Sequence, residues 1–142
     1  MSEFERCIER KGLVRFTGGR ADVVTRELEA AKADLAAAND SLAQANWKWA
    51  IVQGYYSMFH GARGLVLKAG YVEKSHYCLG IAFRELHGKE GAGLELAEAL
   101  SRARTLREDA DYESEYDDGA ARSVCVSAER FLAFAQAEAN RP

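Results

Sequence analysis

The sequence predicts an all-α protein, an antiparallel, up-and-down bundle of four to five helices with a short helix at its N-terminus. Apolar residues recur every three or four positions through most of the chain. No segment shows the alternating, β-branched pattern of a strand. The one proline, Pro142, is the last residue, so it interrupts no helix. With 142 residues, 48% of them hydrophobic, residues 1–142 are expected to form a single domain.

The first two helices are predicted over Ser2–Lys11, which stops before Gly12, and over Arg20–Ala45. The second carries apolar residues at alternating spacings of four and three, as on the buried face of an amphipathic helix. This face consists of Val24, Leu28, Ala31, Leu35, Ala38, Leu42 and Ala45.

The third helix is predicted from Asn46 or Trp47 to Ala69, with Gly70 placed to end it. It is apolar on more than one side, which is typical of a central helix with several neighbours. Its two stripes are Trp47, Ile51, Tyr55, Met58, Ala62 and Leu65, and Trp49, Val52, Tyr56, Phe59 and Leu67.

Three more helices are predicted over Ser75–Leu86, Leu94–Ala110 and Asp118–Ala139, the first of them capped by its serine. Short connections between such helices favour antiparallel packing. The predicted loops are Val14–Gly19, Tyr71–Lys74, Gly88–Gly93 and Asp111–Asp117.

The net charge of -3 is divided unevenly along the chain, with +2 over residues 1–90 and -5 over residues 91–142. We therefore expect no binding of DNA or RNA through bulk charge. No apolar run reaches the roughly 20 residues of a membrane span. The N-terminal segment MSEFERCIERK is charged where a signal peptide is apolar, so a soluble, cytoplasmic protein without a membrane partner is expected.

The three cysteines, Cys7, Cys78 and Cys125, are widely spaced and form no CxxC pair. An odd number without paired spacing favours neither a disulfide framework nor a zinc site. We expect reduced, mostly buried thiols.

Four small residues of the third helix lie three or four apart: Gly54, Ser57, Gly61 and Gly64. Each glycine costs roughly 1 kcal/mol against alanine inside a helix, so something is expected to approach closely there. The partner is either another helix of the same bundle or the same helix of a second subunit. Both alternatives stay open, and a homodimer is slightly favoured.

His60 lies next to this stripe, one helical turn from Tyr56 and Arg63. A histidine with a hydroxyl and a guanidinium within reach transfers protons or binds a phosphate. The alternative is a half-buried histidine with a structural role. This role is the more common one for an isolated histidine on an apolar helix.

His76 follows Lys74 and Ser75 at a predicted helix start, where backbone N–H groups can bind an anion. Capping by Ser75 explains the same residues without a ligand.

The segment Glu108–Asp118 holds seven acids and no base. Its spacing resembles a calcium loop, but Ser114 and Ala120 stand where the glycine and the last acid belong, so we expect no metal. It is either a solvated loop that places negative charge at the next helix or an acidic docking surface. P-loop, GxSxG, HExxH and GxGxxG motifs are absent, and no cofactor is expected.

The segment YYSMFHGARGLVLKAGYVEKSH resembles the HEPN superfamily (higher eukaryotes and prokaryotes nucleotide-binding domain), in particular its small stand-alone prokaryotic members. The resemblance extends over most of the chain. It includes FERCIERKGL near the start, GYVEKSHYCLGIAFREL in the middle, and ADY (110–112) and AERFL (128–132) near the end.

The resemblance implies a helical bundle, frequently dimeric, that is often encoded beside a minimal nucleotidyltransferase as a toxin–antitoxin-like pair. Many members are metal-independent RNases with an arginine followed, after four to six residues, by a histidine. That motif is absent: two residues separate Arg84 from His87, and twelve separate Arg63 from His76.

The favoured hypothesis is therefore a non-catalytic, dimeric module that acts with a nucleotidyltransferase. Its ligand, a nucleotide or phosphate, is expected to contact Tyr56, His60, Arg63, Lys74 and His76. The alternative is an RNase that cleaves RNA with His60 or His76 and Arg63. A dimer without any ligand is the third hypothesis.

Overall fold

The computed structural model describes residues 1–18 and 20–142, which form a helical bundle and confirm the predicted fold class. Over these residues the helices are α1 (Glu3–Glu9), α2 (Arg20–Ala43), α3 (Trp47–Lys68), α4 (His76–His87), α5 (Gly91–Tyr112) and α6 (Asp118–Ala139).

Helix α3 lies at the centre and contacts α2, α4, α5 and α6. Its buried residues point to several sides, as the two apolar stripes predict; they include Ile51, Tyr55, Met58, Phe59 and Leu65. Only three residues join α2 to α3, so the two helices pack antiparallel. Ala45 takes a left-handed φ of 59° in this turn.

The predicted helix ends are largely confirmed. The Ser75 hydroxyl accepts a hydrogen bond from the Cys78 N–H at 3.0 Å and caps α4, and Gly70 follows α3 with a φ of 98°. Helix α5 differs most, because it begins at Gly91, inside a predicted loop. It also continues to Tyr112.

The prediction that no strand forms is wrong. Strands β1 (Leu13–Arg15) and β2 (Tyr71–Glu73) pair antiparallel, with Val14 opposite Val72. Both overlap predicted loops, β1 from Val14 onwards and β2 over its whole length, and Gly19, the last residue of the first loop, lies outside the described residues. Three-residue strands are too short to show alternation, and their partner is distant in sequence. The ribbon matters for function because it carries Glu73 towards α3.

The prediction of three reduced thiols is also wrong. Cys7 of α1 and Cys78 of α4 form a disulfide, with Cα atoms 5.9 Å apart, whereas Cys125 is free and buried. The pair is 71 residues apart in sequence and meets only because α1 packs against α4. Spacing alone does not reveal such a contact.

Candidate functional site

The small-residue stripe of α3 packs inside the chain. A Cβ atom on Gly54 would lie 2.7 Å from Cγ1 of Val124, and one on Gly61 would lie 3.1 Å from Cδ1 of Phe131. Both partners belong to α6, which approaches α3 closely because these glycines lack side chains.

The other two stripe residues face α2. The Ser57 hydroxyl is buried and donates a hydrogen bond to the Ala31 carbonyl at 2.8 Å, and a Cβ on Gly64 would lie 3.6 Å from Leu28. Of the two alternatives, the structure shows packing within one bundle. The stripe is therefore covered in the monomer, and the slight preference for it as a dimer interface is corrected.

His60 and Arg63 lie among three acids, Glu27, Asp34 and Glu73. We call these five residues the carboxylate cluster. His60 Nδ1 is 2.6 Å from one Glu27 oxygen, and its Nε2 is 3.7 Å from Asp34. Arg63 donates to the other Glu27 oxygen at 3.0 Å and to Glu73 at 3.1 Å.

Three carboxylates thus surround one guanidinium and one imidazole. The side chains of Glu27 and Glu73 are only 13% and 10% exposed, so water screens these pairs weakly. The donors of Arg63 that an anion would need are directed at acids, and the local charge repels an anion. The cluster fits the structural alternative for His60.

His76 contacts the Phe59 ring, as His60 does. The centroid of that ring is 5.5 Å from the His60 ring and 4.5 Å from the His76 ring. Tyr56 contacts His76 edge-on at 6.1 Å, and the Tyr55 hydroxyl is 2.7 Å from His76 Nδ1. The predicted site residues therefore divide into two groups.

The Tyr55–His76 hydrogen bond joins two groups whose neutral forms are favoured. Burial raises the pKa of Tyr55 to about 12, so its hydroxyl keeps its proton. Burial, assisted by the charges of Arg107 and Arg104, lowers the pKa of His76, which favours the neutral ring. When Nδ1 accepts from Tyr55, Nε2–H is a donor towards a ligand; when Nδ1–H donates, Nε2 is an acceptor.

Sequence reasoning missed two arginines near His76, Arg104 and Arg107. The Arg107 guanidinium lies over the rings of Tyr55 and Tyr56, 5.2 and 5.7 Å from their centroids. The Nε atoms of both arginines are buried and make no hydrogen bond of good geometry, but each guanidinium has an acid beside it. Glu108 lies 3.3 Å from Arg104 Nε, and Asp111 lies 3.5 Å from Arg107 Nη1.

Arg104 and His76 line a pocket of about 110 Å³ between α3, α4 and α5. Its polar lining groups are those of Tyr55, His76, Tyr77, Arg84, Ser101 and Arg104. We call this site the donor pocket. Among the described residues that line it there is no carboxylate. Donors and positive charge around a small cavity suit an anionic oxygen group such as a phosphate.

Lys74 is exposed and belongs to neither group; its backbone N–H donates to the Gly12 carbonyl at 2.8 Å. In the acidic segment, Asp117 caps α6 by accepting from the Ala120 N–H at 2.7 Å, which confirms that the segment supplies charge to that helix. The described residues contain no group of His, Cys, Asp and Glu side chains suited to a metal ion.

The comparisons with known proteins agree with this architecture. The family described as HEPN domain matches residues 24–138, which include α3 to α5 and therefore both groups of residues. No curated protein matches the chain.

A solved structure, that of TT1696 from Thermus thermophilus, is similar in fold. It is 22% identical in sequence, with a TM-score of 0.66, over 81% of this chain and 97% of that one. Within the described residues, every helix is too short or too polar to span a membrane.

Proposed function

Because this chain belongs to the HEPN domain family, we propose that it is a non-catalytic helical module that dimerises and acts with a nucleotidyltransferase partner in the cytoplasm, as in a toxin–antitoxin-like pair. Its ligand is a nucleotide or another phosphate-bearing molecule. The binding site is the donor pocket rather than the carboxylate cluster.

The observation that carries the ligand proposal is the polar and cationic lining of the donor pocket, which contains no acid among the described residues. Arg104, whose Nε is 3.3 Å from Glu108, contributes the remaining N–H groups of its guanidinium, and His76 contributes an imidazole whose Nδ1 is hydrogen-bonded to Tyr55. Arg84 and Ser101 add donors at the same cavity. Charge-assisted hydrogen bonds from such groups to phosphate oxygens are about twice as strong as neutral ones.

The non-catalytic role rests on the number of proton-transfer groups at that cavity. Metal-independent RNA cleavage uses a general base and a general acid, and the donor pocket offers one imidazole. His60 does not line that cavity and is hydrogen-bonded to Glu27. The spacing of arginine and histidine that marks the RNase members is absent as well.

RNA cleavage remains the second candidate because of one observation: the lowered pKa of His76 favours a neutral ring at a cavity that Arg104 also lines. In the tautomer whose Nδ1–H donates to Tyr55, the lone pair of Nε2 is available as a base. In this version Arg104 takes the role that the sequence suggested for Arg63. His60 takes no part in it.

Calorimetry and an RNase assay separate the two. Purified protein in EDTA is titrated with AMP and incubated in parallel with single-stranded RNA. We expect AMP to bind the wild-type protein, His76→Ala to weaken that binding, and the RNA to stay intact. RNA cleavage that disappears in His76→Ala would contradict the non-catalytic role, and absence of AMP and phosphate binding would contradict the ligand proposal.

The partner and the dimer are tested separately. We expect a minimal nucleotidyltransferase to be encoded beside this chain, and co-expression of the two to yield a complex that survives size exclusion. Sedimentation equilibrium of this chain alone is expected to give twice the monomer mass of 15.7 kDa. If the acidic segment is the docking surface, neutralising Glu113 and Glu115 weakens the complex and leaves AMP binding intact. A monomer in sedimentation would contradict the dimer.

A further inference from the structure

We propose that the donor pocket binds the single phosphate of a nucleoside monophosphate, and that the nucleoside leaves the pocket over Gly80 into a neighbouring groove under α1. This inference rests on the proposed function, because it takes the donor pocket as the ligand site. It adds the number of phosphates, the direction of the ligand and the residue that makes room for it.

The size of the donor pocket limits what it can hold. Pockets that enclose whole small molecules run to about 300–1,000 Å³, and the donor pocket has about 110 Å³. It has room for one compact group such as a phosphate. The rest of a nucleotide must lie outside it.

A larger groove begins at the wall of the donor pocket. It has a volume of about 360 Å³ and lies between α1, α4 and the start of α5. Ile81 and Arg84 of α4 line both cavities, so a ligand held by Arg84 can extend from one into the other. The side chain of Phe4 lines the groove and offers an apolar surface to a ribose or base.

In this proposal the passage between phosphate and nucleoside is at Gly80, which lines the donor pocket and precedes Ile81, a residue that lines both cavities. Gly80 lies in the interior of α4, where glycine is unfavourable. A Cβ atom there would meet nothing within 4 Å, in contrast to the glycines of α3 at Val124 and Phe131. Packing within the described chain therefore does not explain this glycine, whereas the close approach of a ligand does.

The charges along this path favour a monophosphate. The donor pocket is lined by Arg84 and Arg104, whereas the groove is lined by Glu3 and Glu85 as well as by Lys89. Lys89 is already paired with Glu85, with the nitrogen 2.5 Å from the carboxylate. Additional phosphates that extended into the groove would approach these acids. An uncharged nucleoside would not.

The test compares ligands and fills the passage. Wild-type protein, Gly80→Ala and Gly80→Leu are titrated with inorganic phosphate, AMP and ATP. We expect AMP to bind the wild-type protein about tenfold or more tighter than phosphate and tighter than ATP. Gly80→Ala is expected to reduce the advantage of AMP over phosphate, and Gly80→Leu to abolish it.

Thermal unfolding and a control variant exclude misfolding as the cause. Replacing a helix-interior glycine that has free space with alanine is expected to raise the melting temperature by about 2–4 °C. Gly119→Ala is the matched control, because Gly119 lies in the first turn of α6, where a Cβ makes only an ordinary contact. It should leave all three affinities unchanged.

The outcomes distinguish this inference from the proposed function. Equal affinities for AMP and phosphate, tighter binding of ATP than of AMP, or Gly80 variants with wild-type AMP affinity would each overturn the inference and leave the donor pocket as a phosphate site. Wild-type protein that binds none of the three ligands would overturn both.

Discussion

The carboxylate cluster and the donor pocket each place a histidine and an arginine beside α3, yet they differ in the acids around them. In the cluster, Arg63 meets Glu27 and Glu73 at about hydrogen-bond distance, and His60 binds Glu27. At the donor pocket, Arg104 has one acid nearby, Glu108 at 3.3 Å from its Nε, and no acid lines the cavity itself among the described residues.

This difference separates a structural use of charge from a use in binding. A guanidinium that carboxylates already satisfy stabilises the contact between α2, α3 and β2 and has little to offer a ligand. A guanidinium such as that of Arg104, whose one acidic neighbour, Glu108, does not line the cavity, keeps N–H groups that can bind an anionic ligand. Residue type alone therefore does not identify the site; the partners of each residue do.

The largest expected effect is the loss of AMP affinity when Arg104 is replaced by glutamine, compared with the same replacement of Arg63. Arg104→Gln is expected to weaken AMP binding by about 10- to 100-fold, since a hydrogen bond to a charged group contributes about 1.5–3 kcal/mol. Arg63→Gln, the matched control in the carboxylate cluster, is expected to leave AMP affinity unchanged. Isothermal titration of both variants measures this, and equal losses would erase the distinction between the two regions.

The next effect concerns stability. Glu27→Gln removes the acid shared by His60 and Arg63 and leaves both without their best partner. We expect a loss of about 1–2 kcal/mol in the free energy of unfolding, because these pairs are only partly screened by water. Urea unfolding measures it. Unchanged stability, or a loss of AMP binding at full stability, would contradict a purely structural cluster.

A smaller loss is expected from the glycine stripe. Gly54→Ala brings a Cβ to within 2.7 Å of Val124, and the overpacking is expected to cost about 1 kcal/mol after the gain in helix propensity. Gly64→Ala, with 3.6 Å to Leu28, should be neutral or slightly stabilising. Sedimentation of both variants should match the wild-type protein. A change of oligomeric state in either variant would contradict the assignment of the stripe to packing within one chain and would favour its role as a dimer interface.

The smallest effect is the pH dependence that His76 adds to stability. Its pKa is lowered in the folded protein, mainly by burial, so the unfolded chain binds this proton more readily. Stability is therefore expected to fall as the pH drops below about 6.5, the ordinary pKa of histidine, and to be complete above it. Because His87 has a lowered pKa for the same main reason, His76→Gln should remove part of this slope and leave the rest. A slope that is unchanged in His76→Gln would contradict the burial of a neutral ring.

The helices were predictable because their signals are local. Apolar spacing over 20 or more residues, the serine before α4 and Gly70 after α3 each act within a few residues of the structure they determine. Strands β1 and β2 and the Cys7–Cys78 disulfide were not predictable, because each depends on two short segments that meet only in the folded chain.

The site was predictable in part for the same reason. Tyr56 and His76 do lie together, but their cationic neighbour is Arg104, from a helix that the sequence links to them by no motif. Arg63 lies one turn from His60 and was therefore the arginine that the sequence suggested for ligand binding. In the structure its guanidinium is paired with Glu27 of α2 and Glu73 of β2. One signal was present: Ser101 and Arg104 lie three apart, beside the apolar face of α5.

The disulfide between α1 and α4 also determines how the chain would carry force. If the two ends are pulled apart, tension passes from Cys7 to Cys78 directly, and the residues between them, including β1, α2 and α3, bear no load. Full extension of the oxidised chain should then be shorter than that of the reduced chain by about 240 Å, at roughly 3.4 Å for each residue in the closed loop. The central helix of the bundle would therefore bear none of the tension along the chain as long as the disulfide is intact.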